Sequence, residues 1–234
     1  MSEVTLFKSI YQSLQQKLFN VNYTTDKASA MRQEISVLAG QWKTDSYTLS
    51  GSLGKLYSLR KMIKKEQSSS VCKKLPALLD EIYHETISIQ NQMFTSANTI
   101  SRFSDRLMVI ILKSQHYQWR ESIYMAALRR ECSFPVQGES ECALGRWYYS
   151  EGKARFSHYP AFQKLGLRHI ALHHSIQSLL QTGFSGLSEN EILQAMEKLE
   201  TCSQSLIATL DELDSQIQLS FPFKEKSIIS RIKK

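Results

Sequence analysis

Apolar residues return every three or four positions along most of the chain. Val4, Phe7, Ile10, Tyr11, Leu14, Leu18 and Phe19 share one face, the spacing a 3.6-residue turn needs to bury one side. The polar run Asn20–Thr25 predicts a break. Asp26 predicts a cap for a second helix to about Leu38, with Gly40 as its stop. Residues 42–54, rich in Ser, Thr and Gly, predict a looser segment, and Leu56, Leu59 and Ile63 a further helix closed by Ser68–Ser70. Pro76 fits a first helical turn. From there Leu78, Leu79, Ile82, Ile89, Met93, Ile100, Phe103, Leu107 and Ile110 lead one long helix on through Trp119 and Ile123 to Ala127. A period near 3.5 held over several turns is that of a bundle or coiled-coil helix.

A break over Arg129–Glu141 contains Pro135 and Gly138, and Phe156–Leu165 reads as a connector around Pro160. Residues 169–180 predict the next helix, which Gly183 ends. Ser188 with Glu191 forms a capping box for the last helix, striped by Ile192, Met196, Leu199, Leu206, Leu210 and Leu213. The expected fold is all-α. Residues 101–215 are expected to form a helical bundle, preceded by a helical, coiled-coil-like region over 1–100 for dimerisation or partner binding. A basic tail follows over 216–234.

Composition sharpens this picture. Only 9 Gly and 4 Pro in 234 residues favour long helices over many turns. The net charge of +7 favours acidic partners, but the cations are scattered among acids, so nucleic acid is not an expected partner. No apolar run approaches the ~18 residues of a membrane span, and Met1-Ser2-Glu3-Val4 opens no signal peptide. The expectation is a cytoplasmic protein without an integral membrane segment. The widely spaced Cys72, Cys132, Cys142 and Cys202 would then be reduced.

The candidate chemistry lies in one thiol and three imidazoles: Cys142, His116, His169 and His173. His116 shares a face with Trp119 and Ile123, where a histidine is either a satisfied core residue or a ligand. Cys142 alone would be a small hydrophobe. His169 and His173 lie one turn apart, so both rings point the same way, and two buried imidazoles each need a partner. That pair is the spacing of a zinc clamp on a helix. His174 turns ~100° away toward solvent. His158 in the connector is a surface residue or an alternative ligand, and Cys202 reads as packing. Three imidazoles and a thiolate fill tetrahedral zinc and leave no position for water, unlike catalytic zinc. The helix reads His169-Ile170-Ala171-Leu172-His173, without the glutamate of a zinc protease, and no phosphate-cradling glycine loop occurs. An enzyme is not expected.

These residues resemble a known family, the chemoreceptor zinc-binding domain of bacterial signalling proteins. Its pattern, a His followed by an aromatic, then C-x-[apolar]-G-x-W, then H-x-x-x-H, matches His116-Tyr117-Gln118-Trp119, Cys142-Ala143-Leu144-Gly145-Arg146-Trp147 and His169 to His173. Positions 116 to 142 span 26 steps and 142 to 169 span 27, in the family's order. The run Phe162-Gln163-Lys164-Leu165-Gly166 also looks like the family's approach to its His pair. The resemblance covers about residues 101–182 and implies that the last helix completes a zinc-binding four-helix bundle. It implies zinc as cofactor, held by His116, Cys142, His169 and His173, in a regulatory domain that is often a homodimer. Neither a methyl-accepting signalling hairpin nor the G-G-D/E-E-F run of a cyclase is present. The implied function is a zinc-responsive or thiol-responsive sensor acting on an unidentified signalling partner. The alternative is a helical adaptor with a purely structural zinc.

Overall fold

The computed structural model describes residues 3–65, 74–131 and 137–220. The stop at Ser68–Ser70, Cys72, Cys132, Pro135 and the tail from Phe221 lie outside these residues. The described chain is all-α, without a strand. Its elements are α1 (Glu3–Lys65), α2 (Lys74–Leu128), α3 (Ala143–Trp147), a π-helical turn (Tyr148–Gly152), α4 (Lys153–Phe156), α5 (Pro160–Thr182) and α6 (Glu189–Leu219). No described helix is long and apolar enough to cross a membrane.

α1 corrects the expected breaks. It runs through Asn20–Thr25, Gly40 and residues 42–54 as one helix of 63 residues. Its polar residues do not compete with the helix, because their hydroxyls return to carbonyls one turn back. Thr24 donates to Asn20 O at 2.9 Å, Thr44 to Gly40 O at 3.1 Å, and Ser50 to Ser46 O at 3.2 Å. Such back-bonding satisfies Ser and Thr inside a helix at a small cost, and an isolated Gly costs only ~1 kcal/mol. No proline falls within α1.

α2 spans the expected long helix. It ends where Arg130 takes a left-handed conformation (φ 53°). There the Arg130 and Glu131 N–H groups donate to Ala127 O and Ala126 O, both at 3.1 Å. This is the paired C-terminal capping of a Schellman motif, with arginine in the usual glycine position. α5 starts at Pro160 rather than near His169, so the expected connector is largely helical. The reason is local: proline at a first helical position gives up an N–H that would be unpaired there anyway.

The chain forms two compact units, one of residues up to Met31 with Asp105–Ser220 and the other of Arg32–Ser104. In the first, Leu112 and Ile123 of α2, Leu165, Leu172 and Ile176 of α5, and Leu199, Leu206, Leu210 and Leu213 of α6 build one buried cluster. Arg106 clamps Asp214 at 2.8 and 3.0 Å, tying α2 to α6. Lys164 bridges to Glu212 at 2.8 and 3.0 Å, tying α5 to α6. Thr25 of α1 meets Ser114 of α2 at 2.6 Å and accepts from Gln118 at 2.8 Å. Ser188 caps α6 in the expected reciprocal box with Glu191.

The second unit pairs α1 and α2 antiparallel. Ser36 meets Ser104 at 2.6 Å, Gln90 donates to Ser46 O at 3.0 Å, and Arg60 is ion-paired with Asp80. Its buried line on α2 is Tyr83, Gln90, Ala97 and Ser104. Most of the residues that set the expected apolar rhythm, Leu78, Ile82, Ile89 and Phe103 among them, face outward instead. Two helices can approach more closely over Ala, Ser and Gln than over branched apolar chains.

Leu206→Ala should lower the unfolding free energy by about 2–5 kcal/mol, and Ser188→Ala by about 1 kcal/mol. Urea denaturation followed by circular dichroism measures both.

Candidate metal centre

The segment Cys142–Trp147 is a tight local device. Cys142 has extended backbone (φ −66°, ψ 163°) and caps α3, its Sγ accepting the Gly145 N–H at 3.3 Å. A Cβ on Gly145 would collide with the Glu139 carbonyl, so glycine lets the preceding turn fold back over α3. Leu144 and Trp147 point into the core. The Trp147 ring packs 5.7 Å from Phe156 and 5.9 Å from Phe162. Tyr148 stacks on Phe162 at 4.4 Å, and its hydroxyl occupies the place a Cβ on Gly166 of α5 would take. The thiol is thus delivered from a rigid loop onto α5.

There it meets the histidine pair. Cys142 Sγ lies 3.1 Å from His169 Nε2, and His169 Nε2 lies 3.1 Å from His173 Nε2. The three donor atoms lie within 4.8 Å of one another, an arrangement that could hold a metal ion. Cys142 and His169 are buried and His173 is half-buried. They border a cavity of about 390 Å³ that is also lined by Leu18 and Asn22 of α1 and by His116 and Trp119 of α2.

His116 lies on the wall of that cavity but is not one of the three clustered donors. Its Nε2 sits 2.8 Å from Ser203 Oγ of α6. Arg120 donates to the same Ser203 oxygen at 3.4 Å and is paired with Glu200 at 3.0 Å, and Tyr124 donates to Glu200 at 2.7 Å. The Trp119 ring stands 5.9 Å from the His116 ring and 5.1 Å from that of His173. Ser203 and its partners were not singled out in the sequence. The available signal was periodicity, since Ser203 occupies a stripe position between the buried Leu199 and Leu206. His174 and His158 face solvent, and Cys202 packs against the core.

Electrostatics favour neutral rings. Burial pushes His169 down to about 3, with His173 and His116 adding to it. Burial is also the main cause for His116, at about 4, followed by Arg120 and His173, with Glu200 opposing. His173 is lowered by burial, and Glu139 opposes. Burial pushes the Cys142 thiol up, against the backbone N–H groups of Gly145 and Leu144. Unprotonated imidazoles are the form that binds metal, and a buried thiol beside them gives up its proton to solvent readily only when a cation stabilises the thiolate. Tetrahedral zinc with Zn–N near ~2.0–2.1 Å and Zn–S near ~2.3 Å sets its donors roughly 3.3–3.6 Å apart. The two 3.1 Å contacts of His169 fall within a few tenths of an ångström of that spacing, and all three donors lie within 4.8 Å of one another.

Residues 116–180 match the family model described as the chemoreceptor zinc-binding domain. The matched span opens at His116 and includes Cys142 and the His169–His173 pair. No curated protein and no solved structure matches the chain.

The lowered histidines set the pH response of the metal-free protein. Their folded-state values lie below the ordinary 6.5, so the unfolded chain binds more protons between about 6.5 and 3. Stability is full above pH 6.5 and is lost as pH falls through this window. From pH 7 to pH 4.5 the chelator-treated protein should lose roughly 2–5 kcal/mol more stability than a His116→Gln, His169→Gln double variant. Chemical denaturation at both pH values measures the difference. Gly145→Ala should misplace the Cys142 loop and weaken metal binding at least tenfold, read by competition with a chromogenic chelator.

Proposed function

We propose that the protein is a cytoplasmic, zinc-binding regulatory protein of bacterial signal transduction, in which Cys142, His169, His173 and His116 hold the metal. The observation that carries the reading is the meeting of Cys142, His169 and His173 donor atoms within 4.8 Å, inside a segment that matches a zinc-binding signalling domain. A bound zinc would supply a positive charge that ionises the Cys142 thiol and cross-links the donors. His116, which lines the same cavity, would complete the set by giving up its contact with Ser203. Four protein donors leave no position for substrate water, which supports a regulatory rather than a catalytic role.

The signal enters through Cys142. Its thiolate is the oxidisable member of the set, and a peroxide converts it to a sulfenate by transferring one oxygen and releasing water. A sulfenate is a poorer ligand, so the α3 loop would part from α5. Either oxidation or loss of metal then lets His116 return to Ser203, changing how α2 is held against α6. α2 begins at Lys74, so a change at His116 is carried toward the Arg32–Ser104 unit. That unit would engage the partner signalling protein, and the assembly would be a homodimer.

Elemental mass spectrometry of the purified protein should find about one zinc per chain, and none in a folded His169→Ala, His173→Ala double variant. A folded wild-type protein that takes up no added zinc sinks the reading. Cross-linking patterns should also differ between metal-loaded and metal-free forms; identical patterns would leave zinc with a structural role only.

A further inference from the structure

Between Leu75 and Phe103, α2 carries two lines of residues at seven-residue spacing. The first is Tyr83, Gln90, Ala97 and Ser104, buried against α1. One position before each stands Ile82, Ile89, Ser96 or Phe103, and Leu75 extends this second line by one repeat. It is rotated ~100° from the first. Its four large apolar members are 46–56% exposed, and Leu78 beside it is 54% exposed.

We infer that this second line is the seam at which a second copy of the chain docks, α2 against α2. Only a helix lying alongside stays in register with a seven-residue repeat, because the two must supercoil together to keep the stripe in contact. The line runs 28 residues, about 42 Å of helix. It carries no charge, so pairing it with itself buries no unpaired ion, and a two-fold contact requires the same patch on both sides. The matching outward line on α1 is less suitable, since Asp45 and Ser52 stand between Leu38 and Leu59. α1 itself already fills the first line. Five half-exposed large side chains offer on the order of 90 Å² each. Two copies would thus bury roughly 900 Å² from these alone, and flanking residues carry the total past the ~1,000 Å² of a specific interface. The inference rests on the homodimer reading above for the identity of the occupant, and assigns its face.

The test is sedimentation velocity of the zinc-loaded full chain. The wild-type protein should sediment with twice the mass of one chain. Ile82→Glu with Ile89→Glu should reduce this to one chain, with zinc content and helical circular dichroism unchanged. A milder pair, Ile82→Gln with Ile89→Gln, should weaken the dimer at least tenfold and serves where the charged pair does not fold. Leu193→Glu, at an exposed site on α6 in the other unit, should leave the dimer intact. A monomeric wild-type chain overturns both the face and the homodimer. A dimer that survives folded substitutions at Ile82 and Ile89 overturns the face alone.

Discussion

Cys142, His169 and His173 bring a thiol and two imidazoles together on the edge of an otherwise apolar core, and their shared burial constrains everything around them. A buried polar group without a partner costs a few kcal/mol. Here His169 meets both Cys142 and His173 at 3.1 Å, too close for a water in either contact. The arrangement is held from both sides. His169 and His173 are one turn apart on a helix packed by Leu165, Leu172 and Ile176. Cys142 is aimed by the Gly145 turn and anchored by Trp147. Rigidity in these supports is what holds the three donors near one point.

His116 belongs to a second, polar system. Its ring is bound to Ser203, and Ser203 joins Arg120, Glu200 and Tyr124. This network gives the buried imidazole a polar partner inside the core. Burial keeps His116 unprotonated at neutral pH.

The Arg32–Ser104 unit follows different physics. Its helix pair meets over Ala39, Ser46, Gln90, Ala97 and Ser104, with Leu53 and Tyr83 as the larger contacts. Small and polar residues allow close backbone approach and leave little apolar area inside. The larger apolar residues of the same repeat lie one position away and outward. A helix in this unit is therefore half-satisfied by its own chain.

Much of this was legible in the sequence. Pattern alone determined an all-α chain, the long helix to about Ala127, the capping box at Ser188, and the common face of His169 and His173, because each depends on residues within a turn or two of one another. The four-part motif also pointed to the zinc-binding resemblance, since ligand type and order survive without a structure. Tertiary structure decided the rest. It kept α1 continuous through Asn20–Thr25 and Gly40, where hydroxyls found carbonyls one turn back and a neighbouring helix gave the polar face a partner. It chose which of two adjacent heptad lines on α2 is buried, a choice that period cannot make because both lines share it. It also turned His116 toward Ser203, 87 residues away along the chain, a contact no local spacing encodes.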